Sequence, residues 1–136
     1  MAIDPSLPII FIRHGETDWN RQGLIQGSID TDLNERGHAQ AKAVADLLVS
    51  HAGEWHDYDI IVSPQRRALQ TAAYVLAALK RQHHGTDARV RELGFGVWEG
   101  KPFWELKDSP VYPADPEGRF FWRPDGAKAT KMAWPA

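Results

Sequence analysis

No cysteine occurs in the 136 residues. That excludes a disulfide framework, a thiolate zinc site and a cysteine nucleophile, and it is compatible with a reducing compartment. No sustained basic run occurs either. Sixteen Lys and Arg offset 18 Asp and Glu for a formal net charge of -2, so the global field offers nothing to a nucleic acid backbone. Long apolar stretches are absent too, none approaching the roughly 18 residues of a membrane span, and Met1 to Pro8 lacks the basic start of a signal peptide. The chain has no internal repeat and no linker of Gly and Ser. These absences lead to the expectation of a single cytoplasmic domain over 1–136, with neither nucleic acid nor membrane as partner. What is present, 43% hydrophobic residues with 25% charged, is enough to build a core and argues against a disordered chain.

Pro8-Ile9-Ile10-Phe11-Ile12 is a continuous apolar run rich in β-branched residues. It predicts a strand buried on both faces, as in a parallel sheet, with Arg13-His14-Gly15 at its carboxyl end. From Asp32 the period changes: Leu33, Ala39, Ala43, Val44, Leu47 and Leu48 recur at roughly helical spacing, with Asn34 as N-cap and His51-Ala52-Gly53 as the stop. A second run, Tyr58–Val62, predicts a second strand, which Ser63-Pro64 ends before Ala68, Ala72, Val75, Leu76 and Leu79 resume a helical pattern. Arg89–Leu93 reads as a third, short strand. The alternation predicts an α/β fold with parallel strands and crossover connections. After Gly100 the periodicity fails and prolines gather, five of the nine lying between Pro102 and Pro124, so loop or short helix is expected there.

Alone, Arg13-His14-Gly15 reads as a turn with a solvated histidine. Ser63-Pro64-Gln65-Arg66-Arg67-Ala68 alters that reading, because it brings arginines to the corresponding end of the second strand, at a helix start that already favours an anion. Two strand ends aiming guanidinium forks at one place suggest a phosphate site. The adjacent His83-His84 reads as a solvated helix end, and Trp55, Trp104, Trp122 and Trp134 as core or partner contacts rather than ligands.

Four blocks now stand in order: F-I-R-H-G-E-T-D-W-N at 11–20, Q-G-S-I-D-T-D-L-N-E-R-G-H-A-Q-A at 26–41, I-V-S-P-Q-R-R-A-L-Q-T-A at 61–72 and R-E-L-G-F-G-V-W-E-G at 91–100. Together they resemble the histidine phosphatase superfamily, the phosphoglycerate mutase-like proteins. The resemblance implies a three-layer α/β fold, with a mainly parallel sheet flanked by helices. It implies that His14 is the nucleophile that takes the phosphoryl group, that Arg13 and Arg67 hold the phosphate, and that Glu92 protonates the leaving oxygen. Asn20, Gln26 and Gly27 match positions that line the substrate pocket, while Arg66 matches a variable one. The residue types suit the chemistry. Imidazole is the neutral nitrogen nucleophile available near pH 7, and two arginines neutralise the equatorial oxygens in the transition state. The scheme needs no metal and no cofactor. Its partner is a small phosphorylated substrate or inorganic phosphate, and self-association into a homo-oligomer is compatible with it.

The sequence departs from that family in two respects. The family pattern has a second histidine in a V-S-H-G-like block after a later strand, and residues 101–136 hold no histidine. Val49-Ser50-His51-Ala52-Gly53 resembles the block by letter but reads as the end of the first helix. Phe121–Gly126 still looks like the family, whereas 127–136 forms an atypical tail, as expected of a domain shortened on its C-terminal side or shifted in reading frame near Gly126. The expectation is phosphatase ahead of mutase, since Gln26-Gly27-Ser28 looks more like phosphatase members and the longer mutase insertions are absent. The alternative is an inactive phosphate-binding or interaction protein.

Overall fold

In a computed structural model of the chain, residues 9–51, 57–82 and 85–106 are described. Helix α1 spans Asp18–Gln22, α2 Glu35–Ser50 and α3 Arg66–Ala78; strand β1 spans Ile61–Val62 and β2 Gly85–Thr86. Two 3-10 turns, Ala88–Val90 and Gly96–Trp98, precede a short helix α4 at Phe103–Leu106. The strands are parallel, with Ile61 opposite Gly85 and Val62 opposite Thr86, and α3 connects them. The α/β expectation is met by this strand–helix–strand unit.

Helix α2 starts where the sequence predicts. Asn34 accepts a hydrogen bond from the Gly37 N–H at 2.8 Å and so satisfies one of the unpaired donors of the first turn. His51 closes the helix, so the V-S-H letters do belong to a helix end. Ala52 and Gly53 lie outside the described residues. The buried stripe of α2 is Gly37, Ala41 and Ala45, and that of α3 is Arg67, Thr71 and Val75. Each recurs every four residues, so each forms one face, and the two helices pack together. Small side chains on α2 let the axes approach closely.

Two expectations are corrected, and one helix is added. Residues 9–12 form no strand and are not buried; Phe11 is 83% exposed and Ile9 58%. A strand exists only with a neighbour, and among the described residues 9–12 pairs with neither β1 nor β2, which hydrogen-bond to each other along one edge each. Arg89–Leu93 is not a strand either. Asp87 accepts from the Arg89 backbone N–H at 2.8 Å and from its guanidinium at 2.6 Å, so local bonds curl the chain into a turn, and the pairing falls upstream at Gly85–Thr86. Helix α1 was unanticipated. Thr17, fully buried, caps it, and Asn20 returns the bond to the Thr17 N–H in a capping box.

Beyond Gly100 the chain is short helix, as expected, as far as Leu106. The segment Phe121–Gly126, the tail 127–136, His83-His84, Trp55, Trp122 and Trp134 lie outside the described residues. Trp104 is exposed and its ring lies over Gly23, where a Cβ would collide with it.

Candidate active site

The site begins at the turn between residue 12 and α1. His14 is half-buried, and its Nδ1 lies 2.7 Å from the Gly15 carbonyl oxygen. A carbonyl only accepts, so Nδ1 carries the proton and the neutral ring keeps its lone pair on Nε2. Gly15 is gripped from two sides. Its N–H donates to the Thr71 hydroxyl at 3.0 Å, which in turn donates to the Arg67 carbonyl at 2.8 Å. On the other side a Cβ at Gly15 would collide with the Gly37 backbone, and one at Gly37 with that of Glu16. The histidine is therefore carried on backbone wedged between α2 and α3.

Arg67 lies in the first turn of α3 and is 1% exposed. Its guanidinium donates to the Gly27 carbonyl at 3.0 Å and the Ile29 carbonyl at 2.8 Å. Burial pulls its pKa down, and the charges of Glu92, Asp30 and Glu99 push back without reversing the direction. Arg66 points elsewhere: its guanidinium pairs with Asp32 at 2.8 Å, both largely exposed, while its N–H is capped by Asp30 at 2.7 Å. Arg13 is exposed. The pKa of His14 lies below the ordinary 6.5. Burial is the main cause and the bond to Gly15 opposes it. The Arg67 and Arg13 charges add to the lowering, and Glu92 opposes it. Arg13, Arg67 and Glu92 are thus all within electrostatic reach of the imidazole.

Glu92 is exposed, and its backbone N–H donates to the Gln65 side-chain oxygen at 3.1 Å. Asn20 and Gln26 are both in use structurally. The Asn20 oxygen closes the α1 capping box at 3.0 Å, and the buried Gln26 oxygen accepts from Thr17 at 2.6 Å and Thr31 at 2.5 Å. Only their amide N–H groups are left without a partner among the described residues. Gly27 has φ 54°, and a Cβ there would meet Glu99, Phe95 and Leu93, so glycine is required by conformation and by space.

Two residues that the sequence reading passed over organise this corner. One Glu99 oxygen accepts from the Ser28 N–H at 2.7 Å, the Ser28 hydroxyl at 2.8 Å and the Phe95 N–H at 3.1 Å. Burial opposes ionisation of Glu99, but these three donors and the Arg67 charge outweigh it and hold the carboxyl below its ordinary value. Gln65 bridges Gly27 and Glu92. Glu99 lies within 91–100 and Gln65 next to Pro64, yet neither carries a local signal, because their partners are 71 and 27 residues away. Among the described residues no group of three or more His, Asp or Glu could hold a metal ion, and no helix is long and apolar enough to cross a membrane.

The His14 imidazole, whose Nε2 has no hydrogen-bond partner among the described residues, thus shares an α/β frame with the charges of Arg13, Arg67 and Glu92. Residues 9–132 match the histidine phosphatase superfamily (branch 1), and the chain belongs to that family. It is 36% identical over 117 residues to glucosyl-3-phosphoglycerate phosphatase of Mycolicibacterium vanbaalenii, covering 86% of this chain and 48% of that protein. It is 36% identical over 102 residues to putative phosphoserine phosphatase 2 of Hydrogenobacter thermophilus, covering 74% and 47%. Among solved structures, a mycobacterial glucosyl-3-phosphoglycerate phosphatase complexed with VO3 superposes with TM-score 0.70 at 31% identity, over 85% of this chain and 56% of the other. Phosphoserine phosphatase of Entamoeba histolytica with 3-phosphoglyceric acid gives 0.61 at 37%, over 73% and 46%. The chain spans about half the length of the curated relatives it matches.

Proposed function

We propose that the chain transfers the phosphoryl group of a small phosphate monoester to His14 and releases it to water. The observation that carries this reading is the Nδ1–H bond to Gly15, which leaves the Nε2 lone pair as nucleophile beside Arg13 and Arg67. Nε2 forms the bond to phosphorus as the ester P–O bond breaks, and Glu92 in its acid form gives its proton to the departing oxygen. In the second step water attacks phosphorus, the P–Nε2 bond breaks to return the lone pair to His14, and the Glu92 carboxylate takes the water proton, releasing inorganic phosphate. Arg67 and Arg13 stabilise the charge on the equatorial oxygens. Hydrolysis rather than mutase action is supported by the phosphoserine and glucosyl-3-phosphoglycerate phosphatases among the relatives. The ligands named with the solved neighbours, VO3 and 3-phosphoglyceric acid, support a small phosphorylated substrate.

The solvent exposure of Glu92, the proton donor of this scheme, favours a second reading, phosphate binding without turnover. Quenched-flow labelling with an aryl phosphate separates the two. Phosphate at His14 followed by steady release supports the enzyme, one equivalent without release supports the second reading, and no labelling together with no phosphate binding defeats both.

A further inference from the structure

Gln65 occupies the N-cap position of α3, where a short polar side chain ordinarily satisfies the first turn, yet its own side chain makes no capping bond. Asp30 does that work instead, accepting from the Arg66 N–H at 2.7 Å. The freed carboxamide is 6% exposed as a residue and is used on both sides. Its Nε2 donates to the Gly27 carbonyl at 2.8 Å, and its Oε1 accepts from the Glu92 N–H at 3.1 Å. A carbonyl can only accept and an N–H can only donate, so a single orientation of the amide satisfies both. The Gly27 carbonyl is also a seat of the Arg67 guanidinium, at 3.0 Å. One side chain therefore links the backbone that bears Glu92 to the oxygen that steadies Arg67.

We infer that Gln65 is a positioning residue, which sets the distance between Glu92 and the Arg67 phosphate seat by clamping the Glu92 backbone to Gly27. This role rests on the proposed function, in which Glu92 is the proton donor. Proton transfer to a leaving oxygen tolerates little displacement, and misplacement by about 1 Å costs on the order of 100-fold. Glu92 is exposed and follows a turn, so its backbone needs an anchor from elsewhere. Ser63 adds only a loose contact to the same carboxamide, at 3.4 Å.

The test compares wild type, Gln65→Leu, Gln65→Glu and Glu92→Gln by single-turnover phosphorylation of His14 from an aryl and an alkyl phosphate. Hydrogen exchange at the Glu92 amide and binding of inorganic phosphate are measured in parallel. Gln65→Leu removes both bonds at similar volume. The expected result is Glu92 amide exchange faster by roughly tenfold or more, with transfer from the alkyl donor slowed roughly 10- to 100-fold and transfer from the aryl donor much less. Phosphate binding within about threefold of wild type shows that the fold and Arg67 persist. Gln65→Glu keeps the acceptor for Glu92, so the amide should stay protected. Unchanged Glu92 exchange in Gln65→Leu overturns the clamp. So does equal slowing of both donors in Gln65→Leu while Glu92→Gln discriminates between them. Equal slowing in Glu92→Gln itself removes the acid role and the positioning role with it, which is a failure of the proposed function rather than of the hydrogen-bond geometry.

Discussion

The neutral form of His14 is the nucleophilic one, and its lowered pKa extends that form to more acid solution. With an aryl donor, whose leaving group needs little protonation, His14 phosphorylation should therefore rise with pH only over the range below 6.5 and level off above it, as read by acid-labile phosphate in single-turnover runs. The same shift has a stability consequence of definite sign. As pH falls below 6.5 the unfolded chain takes up the proton before the folded one, so this residue contributes stability that is present above that value and lost below it. The slope of melting temperature against pH between about 6.5 and 5 should shrink in His14→Asn. Arg67 and its neighbour separate cleanly. Arg67→Ala should weaken phosphate binding by on the order of 10- to 100-fold, since a buried charge-assisted donor is removed. Arg66→Ala should change it by less than about threefold, because its exposed pair with Asp32 is worth little. Calorimetric titration with inorganic phosphate reads both, and the reverse order would show the block to be misaligned. The candidate charged residues could be named from the sequence because each stands in a distinctive block. Gln65 and Glu99 were not legible, because their significance lies in partners that only the folded chain brings close.

Among the elements, α2 shows how a helix can be predicted correctly while its tightest constraint is missed. Asn34 was readable as a cap, and Asn34→Ala should cost about 1 kcal/mol in urea unfolding, with the added loss of its bond to Glu16 at 3.0 Å. Gly37 in the first turn has no such signature. On an open helix surface Gly→Ala stabilises by about 1 kcal/mol, yet here the added methyl meets the Glu16 backbone. Gly37→Ala should therefore destabilise more than Asn34→Ala, the opposite of the propensity scale, and the same urea midpoints check it. The strands were the poorer part of the reading. The apolar run at 8–12 and the short segment at 89–93, where Val90 and Leu93 stand among charged residues, suggest strands, but pairing depends on which neighbour is present. At 87–89 a short-range ion pair won the competition with a ladder. That pair holds Asp87 at a pKa of about 2, so its contribution is present above the ordinary 3.8 and lost as pH falls toward 2.

At the scale of the molecule, Ile9 to Ile12 and Ile61 are exposed together with Val97, Phe103 and Trp104. That much apolar surface favours self-association. Phe11→Ser should lower the apparent mass at high concentration in sedimentation velocity, with no loss of folded secondary structure; an unchanged distribution would place the adhesive surface elsewhere. The seating of Arg67 has a different consequence. Its direct hydrogen bonds to the chain run to the carbonyls of Gly27 and Ile29, which are dipoles without net charge. Dissolved ions screen charge against charge but hardly touch a short buried bond to a carbonyl. Rising ionic strength should thus weaken the capture of an anion while leaving the receiving guanidinium in place. The site is built to stay in shape when its attraction is turned down, and a salt series of phosphate affinity, set beside amide exchange at residues 27 to 29, would display the two behaviours separately.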